Sequence, residues 1–477
     1  MFRFLLLVHR YLGIAVGLVV ALWCLSGFVM MYVQYPELRN ADYLAGLPAI
    51  DAANCCKIDA DVLGQLDNID EITIEMLAGQ AVLRARFGVG VSVIVDLGSG
   101  TWFSTISSET AMQQADAFLT ASGLDGEARY LVGIERDQWT VSGAFDVHRP
   151  LYLVSVDDDA GTQLYVSGVS GQLVQATSAR ERFWNRLGAV IHWIYPAALR
   201  QNVALWSQVV IWLSIASLFL VVVGLCLGTV QYGSRPDGSR SPYRGLNLWH
   251  HYAGLAFGIF TLAWLFSGLL SMNPWGTFEG EDGLDERHRL AGGSIASIEV
   301  AAIVAALDET ALPPGTVQLR SSMFDGKLVL IARDATGNAT RLDVTTFTPE
   351  PLAGDAWNRV ASLARPGVPI RDAGLLDSGD AYYFNHHEQL VFPVYRIVFD
   401  DVDRTHYYFD PVSAELLQKY DGARRWHRWL FLGLHRGDFT AALRRRPLWD
   451  LIMLPLLLGV TIGALSGVWM AWRRVTK

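Results

Sequence analysis

A chain of 477 residues with 51% hydrophobic residues, 18% charged residues and a mean hydropathy of +0.25 is too apolar for an ordinary soluble enzyme and too charged to be membrane throughout. It reads as part membrane, part soluble. The net charge of -9 and the lack of a long basic run exclude nucleic acid, and anionic lipid as the main partner. No P-loop, no glycine-rich dinucleotide turn after a strand, no GxSxG elbow and no HExxH occurs, which excludes an ATP-driven pump, a one-chain flavin reductase and a membrane protease.

In chain order, the first apolar stretch, Phe4 to Val33, is too long for a signal peptide and lacks a small-x-small cleavage site, so it is taken as an anchor. Three more follow, Val203 to Tyr232, Leu246 to Met272 and Leu448 to Trp472, each above the roughly 20 residues that cross a bilayer as helix. This divides the chain into a spanning helix at 1–35, a soluble domain at 36–202 ending in an interfacial helix, a spanning helix at 203–232 and a loop at 233–245. A spanning helix at 246–273, a second soluble domain at 274–447 with its own interfacial helix, a spanning helix at 448–472 and a tail at 473–477 complete it. Each soluble segment is large enough for a small core of its own. Alternation over Leu151 to Val156 and Leu164 to Val174, with a helical stretch at Glu109 to Ala121, predicts α+β modules around small antiparallel sheets. The four cysteines form no disulfide framework and no zinc motif; Cys24 and Cys226 lie in helices, and the neighbours Cys55 and Cys56 are expected to be ordinary thiols.

The two halves repeat. An offset of 241 lays His9, Tyr11, Gly13, Gly17, Trp23, Ser26 and Gly27 on His250, Tyr252, Gly254, Gly258, Trp264, Ser267 and Gly268. An offset of 243 then equates, among others, Asp137, Tyr165, Arg182, His192 and Trp206 with Asp380, Tyr408, Arg425, His435 and Trp449. With two crossings per unit, the copies share one orientation about an axis along the membrane normal, so equivalent residues sit at equal depth. Arg3, Arg10, Arg235, Arg240, Arg244, Arg473, Arg474 and Lys477 place the termini and the middle loop in the cytoplasm; Arg444, Arg445 and Arg446 stand against this. That loop is too short to bind a flavin or nicotinamide.

Histidines inside membrane helices are rare and costly. His9 and His250 are each followed at i+4 and i+8 by glycine, which leaves a flat helical face beside an imidazole, as a porphyrin requires. A small-residue helix contact with a hydrogen-bonded histidine is the bland alternative for one helix, and repetition at equal depth weighs against it. His192 and His435 precede the second and fourth spans among aromatic and basic residues: Phe183, Trp184 and Arg186 in one half, Trp426, Arg428 and Trp429 in the other. Taken alone this is an interfacial belt. Symmetry pairs His9 with His250 and His192 with His435, predicting two bis-histidine haem b groups with no coordination site open for oxygen. Secondary candidates are His251, whose counterpart is Arg10, and His427, with Arg182 and Arg425 as partners for haem propionates; His386 and His387 are weaker candidates for a metal or substrate contact.

The openings His9-Arg10-Tyr11-Leu12-Gly13 and His250-His251-Tyr252-Ala253-Gly254, the segment Tyr408-Phe409-Asp410-Pro411 onward, and the stretch from Leu434-His435-Arg436-Gly437 to Ser466-Gly467-Val468-Trp469 resemble the PepSY-associated transmembrane-helix family over nearly the whole chain. The resemblance implies an integral membrane α+β protein of four transmembrane helices in a parallel twofold repeat, with two PepSY-like domains in the periplasm of a bacterial inner membrane. It further implies haem-dependent reduction of a ferric siderophore or other ferric chelate during iron acquisition. The electron donor is then a membrane quinol or a cytoplasmic reductase. The alternatives are a membrane-anchored binding or sensing protein and a siderophore transporter, though few intramembrane carboxylates or broken segments serve the latter.

Overall fold

A backbone crossing hydrocarbon must satisfy its own hydrogen bonds, so long runs with charges only near their ends have to be helical. The computed structural model describes residues 2–476 apart from 53, 54, 57, 59, 89, 90 and 387–389. In it, Phe2–Met30, Val203–Gln231, Leu246–Ser271 and Leu448–Val475 are helices long and apolar enough to cross a membrane. They pack as a ring in chain order, the first and third each lying against the second and fourth. Val20, Cys24, Leu457 and Val460, backed by Phe257 and Trp264, make an apolar layer midway along the bundle.

The segment between the first two spans supplies strands Glu71–Leu77 (β1), Gln80–Phe87 (β2), Val91–Asp96 (β3), Trp102–Phe103 (β4), Ala128–Ile134 (β5), Leu151–Val156 (β6), Gln163–Ser167 (β7) and Leu173–Thr177 (β8). The segment between the last two supplies Thr316–Phe324 (β9), Lys327–Asp334 (β10), Ala339–Leu342 (β11), Ile370–Leu376 (β12), Val394–Phe399 (β13), His406–Phe409 (β14) and Leu416–Tyr420 (β15). The stretch Leu164 to Val174 is thus two strands. The Ser167 side chain accepts from the Ser170 amide (3.0 Å) and Gly171 takes a positive φ of 70°, which together turn the chain between them.

Two four-stranded antiparallel sheets, β5-β6-β7-β8 and β12-β13-β14-β15, match one another in order. The helix Ser108–Ser122 lies on the first of these, capped by Ser107 and ended by Gly123 at φ 67°, and it buries Ala111, Ala115 and Phe118 among Val154, Leu164 and Val166.

The remaining strands depart from the expectation of one core per segment. They form a single seven-stranded sheet, β11-β10-β9-β1-β2-β3-β4, whose seam is the antiparallel pairing of Thr73 with Arg320 and Ile74 with Leu319. One hydrophobic core then draws on both segments, with Ile72, Leu83 and Val95 beside Ile303, Leu319 and Leu330. Pairing β1 with β9 leaves neither strand as an exposed edge, the reason a merged sheet is favoured over two small ones. At the seam Glu75 is fully buried; it accepts from Arg84 Nη1 (2.6 Å), Tyr43 Oη (2.8 Å) and, across to β9, Gln318 Nε2 (2.6 Å).

Cys55 and Cys56 are joined to each other by a disulfide, against the expectation of two thiols. Both are buried in the shared core, far in sequence from Cys24 and Cys226 in the spanning helices, so each has only the other as a partner there.

Candidate functional site

Each four-stranded sheet delivers the chain to the helix bundle through a capped helix. After β8, Ser178 and Glu181 form a capping box on Ala179–Leu187, and the next short helix, Ala189–His192, carries His192. After β15, Asp421 caps Gly422–His427, a π-helical turn Arg428–Gly433 follows, and Leu434–Arg436 carries His435. The sheets are braced by matching bonds, Tyr165 Oη to Asp137 (2.7 Å) and Tyr408 Oη to Asp380 (2.8 Å). Both histidines reach the same end of the bundle.

There the His192 and His435 rings face one another with centres 6.0 Å apart; at the other end His9 and His250 do so at 6.3 Å. An imidazole nitrogen lies about 2.0 Å from a bound transition metal and about 1.1 Å from its own ring centre, so rings on opposite faces of one iron have centres roughly 6.2 Å apart. Both pairs match that spacing.

The second ring nitrogen of each histidine is tied down. His9 Nδ1 lies 3.2 Å from the Leu220 carbonyl, and His250 Nδ1 lies 3.1 Å from the Gly463 carbonyl and 3.0 Å from Ser466 Oγ. His192 Nδ1 lies 3.2 Å from the Trp23 carbonyl and 3.1 Å from Ser26 Oγ; His435 Nδ1 lies 2.9 Å from Ser267 Oγ, with the Trp264 carbonyl as a further partner. A carbonyl cannot donate. The three serine hydroxyls spend their protons on carbonyls of their own helices, namely Leu22, Trp264 and Gly463. Each histidine therefore carries its proton on Nδ1 and leaves the Nε2 lone pair free, the tautomer and support that metal-bound histidines show. Burial pushes His192 and His435 well below the usual histidine range, to about 4 and about 3, so both rings are neutral at neutral pH.

Glycines set this geometry. A Cβ on Gly224, four residues after Leu220, would stand 2.7 Å from His9 Cε1, and one on Gly467, four after Gly463, would stand 3.1 Å from His250 Cε1. At the other end Gly27 and Gly268, four residues after Trp23 and Trp264, take the equivalent places at 4.0 and 3.9 Å from His192 and His435. The rule is the same four times: a helix carbonyl receives the imidazole, and a glycine one turn later makes room for the ring. Gly27 and Gly268 stood in the repeat without an assigned task; Gly224 and Gly467, which the 243 offset also equates, were missed.

His9 and His250 open on a cavity of about 530 Å³ lined by Gly13, Gly17, Gly254 and Gly258 on the first and third helices, with Arg10 and Arg474, both exposed, among its other lining residues. A cavity of this size, apolar and smooth on two helical faces, with two opposed imidazoles and cations in reach, has the donors and shape that haem requires. Among the described residues no group of three or more His, Cys, Asp or Glu side chains could hold a metal ion.

The secondary candidates are engaged otherwise. His251 is buried, with Nδ1 2.8 Å from Ser241 Oγ and Nε2 2.9 Å from the Gly228 carbonyl, and it pins the middle loop to the second and third helices. Arg182 donates to the Thr177 and Gly161 carbonyls, and Arg425 to the Asp403 carbonyl and to Tyr382 Oη, so both guanidiniums brace loops of the sheets. Phe183, Trp184 and Trp426 are exposed, as a belt at a membrane surface would be. His427 stacks toward Phe431, which in turn neighbours His435 (ring centres 5.3 and 5.7 Å apart). His386 packs on Trp449; His387 lies outside the described residues.

No family model matches the chain, and no curated protein matches it closely enough to show kinship.

Proposed function

We propose that the chain is a bacterial inner-membrane di-haem protein that carries electrons to a ferric siderophore or other ferric chelate on the periplasmic side. The observation that carries this reading is the pair of histidine pairs: ring centres at 6.3 and 6.0 Å, with every Nδ1 held and every Nε2 free. His9 and His250 would hold one haem b and His192 and His435 the other, with Arg10 and Arg474 available to the propionates of the first. Held by a histidine pair at each site, haem would supply one-electron chemistry suited to transfer rather than to oxygen binding.

The protein's part is to orient and insulate. On the first helix His9 and Trp23, whose carbonyl receives His192, are 14 residues apart, as are His250 and Trp264 on the third. That spacing is about 21 Å of helix, so the two sites are stacked along the bundle. The apolar layer of Val20, Leu457 and Val460 lies between them and keeps water from the path.

Several features support the wider reading. The 241 to 243 offset fits a duplicated two-helix unit whose equivalent histidines meet across the axis. A disulfide persists in oxidising compartments, which favours a periplasmic soluble lobe and a cytoplasmic middle loop. The resemblance to the PepSY-associated family supplies iron as the substrate. Reduction weakens the grip of a hard oxygen chelator on iron. The donor on the cytoplasmic side is a membrane quinol or a reductase.

The test is a reduced-minus-oxidised absorption spectrum of the purified protein, followed by addition of a ferric chelate to the reduced form. Two haems per chain and rapid reoxidation are expected. A preparation made with full haem supply that shows no haem bands would end this reading.

A further inference from the structure

A second cavity, of about 450 Å³, opens beside the outer histidine pair, lined by Arg287, Lys419, Arg424, His427 and Arg428, with Asp282 as its acidic member. Lys419 is neutralised by Glu281 and Glu286, and Arg428 is paired through Nη1 with Asp438 (2.9 Å). Arg287 and Arg424 donate to main-chain carbonyls, of Leu416 and Lys419, and neither has a carboxylate within ion-pair distance among the described residues. Arg428 is 2% exposed and, paired with Asp438, offers the cavity little charge of its own. Arg287 and Arg424 thus present positive charge to a ligand in the cavity.

Two further observations say what that ligand does. A ladder of rings leads away from the cavity: Phe278 to His427 at 5.7 Å, His427 to Phe431 at 5.3 Å, Phe431 to His435 at 5.7 Å. The first half of the chain has neither the cations nor the ladder. The 243 offset sets Ala176, Glu181, Trp184, Asn185 and Gly188 against Lys419, Arg424, His427, Arg428 and Phe431. Beside His435, Arg424 thus stands where the equivalent helix beside His192 carries Glu181.

Resting on the function proposed above, we infer that this cavity is the substrate site and that it takes an anionic, carboxylate-rich oxygen chelate of ferric iron. Arg287 and Arg424 hold the carboxylates. The ferric ion takes up one electron and becomes ferrous. A haem held by His192 and His435 would supply that electron, and no covalent bond forms or breaks in the protein.

The experiment is calorimetric titration of the purified full chain with gallium(III) citrate, a redox-inert stand-in, in the wild type and in Arg424→Gln, Arg287→Gln and the control Glu181→Gln. Each arginine variant should bind roughly tenfold more weakly or worse, as loss of a charge-assisted contact predicts, with its haem spectrum unchanged and the control unaffected. Equal binding in all four proteins would overturn the assignment, as would loss of haem in the arginine variants, which would make those cations propionate partners. Tighter binding of an uncharged gallium trihydroxamate, unaltered in the variants, would also overturn it. The two proposals fail separately: a haem-free wild type that binds gallium citrate sinks the electron-transfer reading alone, and a haem-loaded wild type that does not bind it sinks the cavity alone.

Discussion

In the soluble lobe Glu75 is fully buried and its carboxylate is spoken for by Arg84, Tyr43 and Gln318, while Glu286 is held in the same way by Lys419 and Tyr407. In the helix bundle His9, His250, His192 and His435 are tied through Nδ1, and among the described residues no hydrogen bond reaches their Nε2. Buried polar groups that satisfy one another build a fold; buried polar groups held in one geometry with one atom idle await a ligand. Glu75 and Glu286 are of the first kind, and the four histidines have the geometry of the second.

This contrast can be broken at several points. The largest effect is expected at the seam of the seven-stranded sheet. Glu75→Ala leaves Arg84 buried without its partner and should cost about 3–5 kcal/mol. Denaturant unfolding followed by β-sheet circular dichroism would read that loss, while the haem content of the folded fraction stays at the wild-type level. Loss of haem together with the lobe would mean that the two regions are not separable.

A smaller effect is expected where a glycine makes room for a ligand ring. In Gly224→Ala the new Cβ meets His9 Cε1 and displaces the ring, so haem at the inner site should bind about 10- to 100-fold more weakly, the range typical for disturbed support of a metal ligand. Val222→Ala, at an exposed position on the same helix that does not line the cavity, is the matched control. Equal haem loss in both would point to general helix damage.

The smallest effect is expected for Ser26→Ala. It removes one acceptor from His192 Nδ1 while the Trp23 carbonyl remains, a change of about 1 kcal/mol or roughly fivefold in outer-site affinity. A spectral titration of haem into the apo-protein measures it. Complete loss of the outer haem would show that the hydroxyl has a larger part than holding a tautomer.

The bundle was far more legible in the sequence than the lobe. Hydropathy marks Phe2–Met30 and its three counterparts because a membrane imposes length and composition on any helix that crosses it. The offset that sets His9 on His250 leads to the expectation that the two meet, and their ring centres lie 6.3 Å apart. The seam pairing Ile74 with Leu319 leaves no such trace: its partners are 245 residues apart, and β1 and β9 each read as an ordinary strand. The Cys55 to Cys56 bridge was unexpected because neighbouring cysteines seldom join, and only the fold shows both sealed in one core. Arg182 and Arg425 have the right charge and place for propionates, yet the backbone turns them onto carbonyls, which composition cannot reveal. Gly224 and Gly467 could have been found, for both lie in the spanning helices at the same offset of 243, but a glycine in a membrane helix is common enough to pass unnoticed.

The most direct test of the paired-histidine account is haem stoichiometry in four single variants, His9→Ala, His250→Ala, His192→Ala and His435→Ala, and in the doubles within each pair. Each single variant should retain about half of the haem. The His9/His250 double should retain as much as either of its singles, likewise the His192/His435 double, with one spectral species lost in the first set and the other in the second. If His9→Ala and His435→Ala removed the same species while His250→Ala spared it, the pairing across the axis would be wrong.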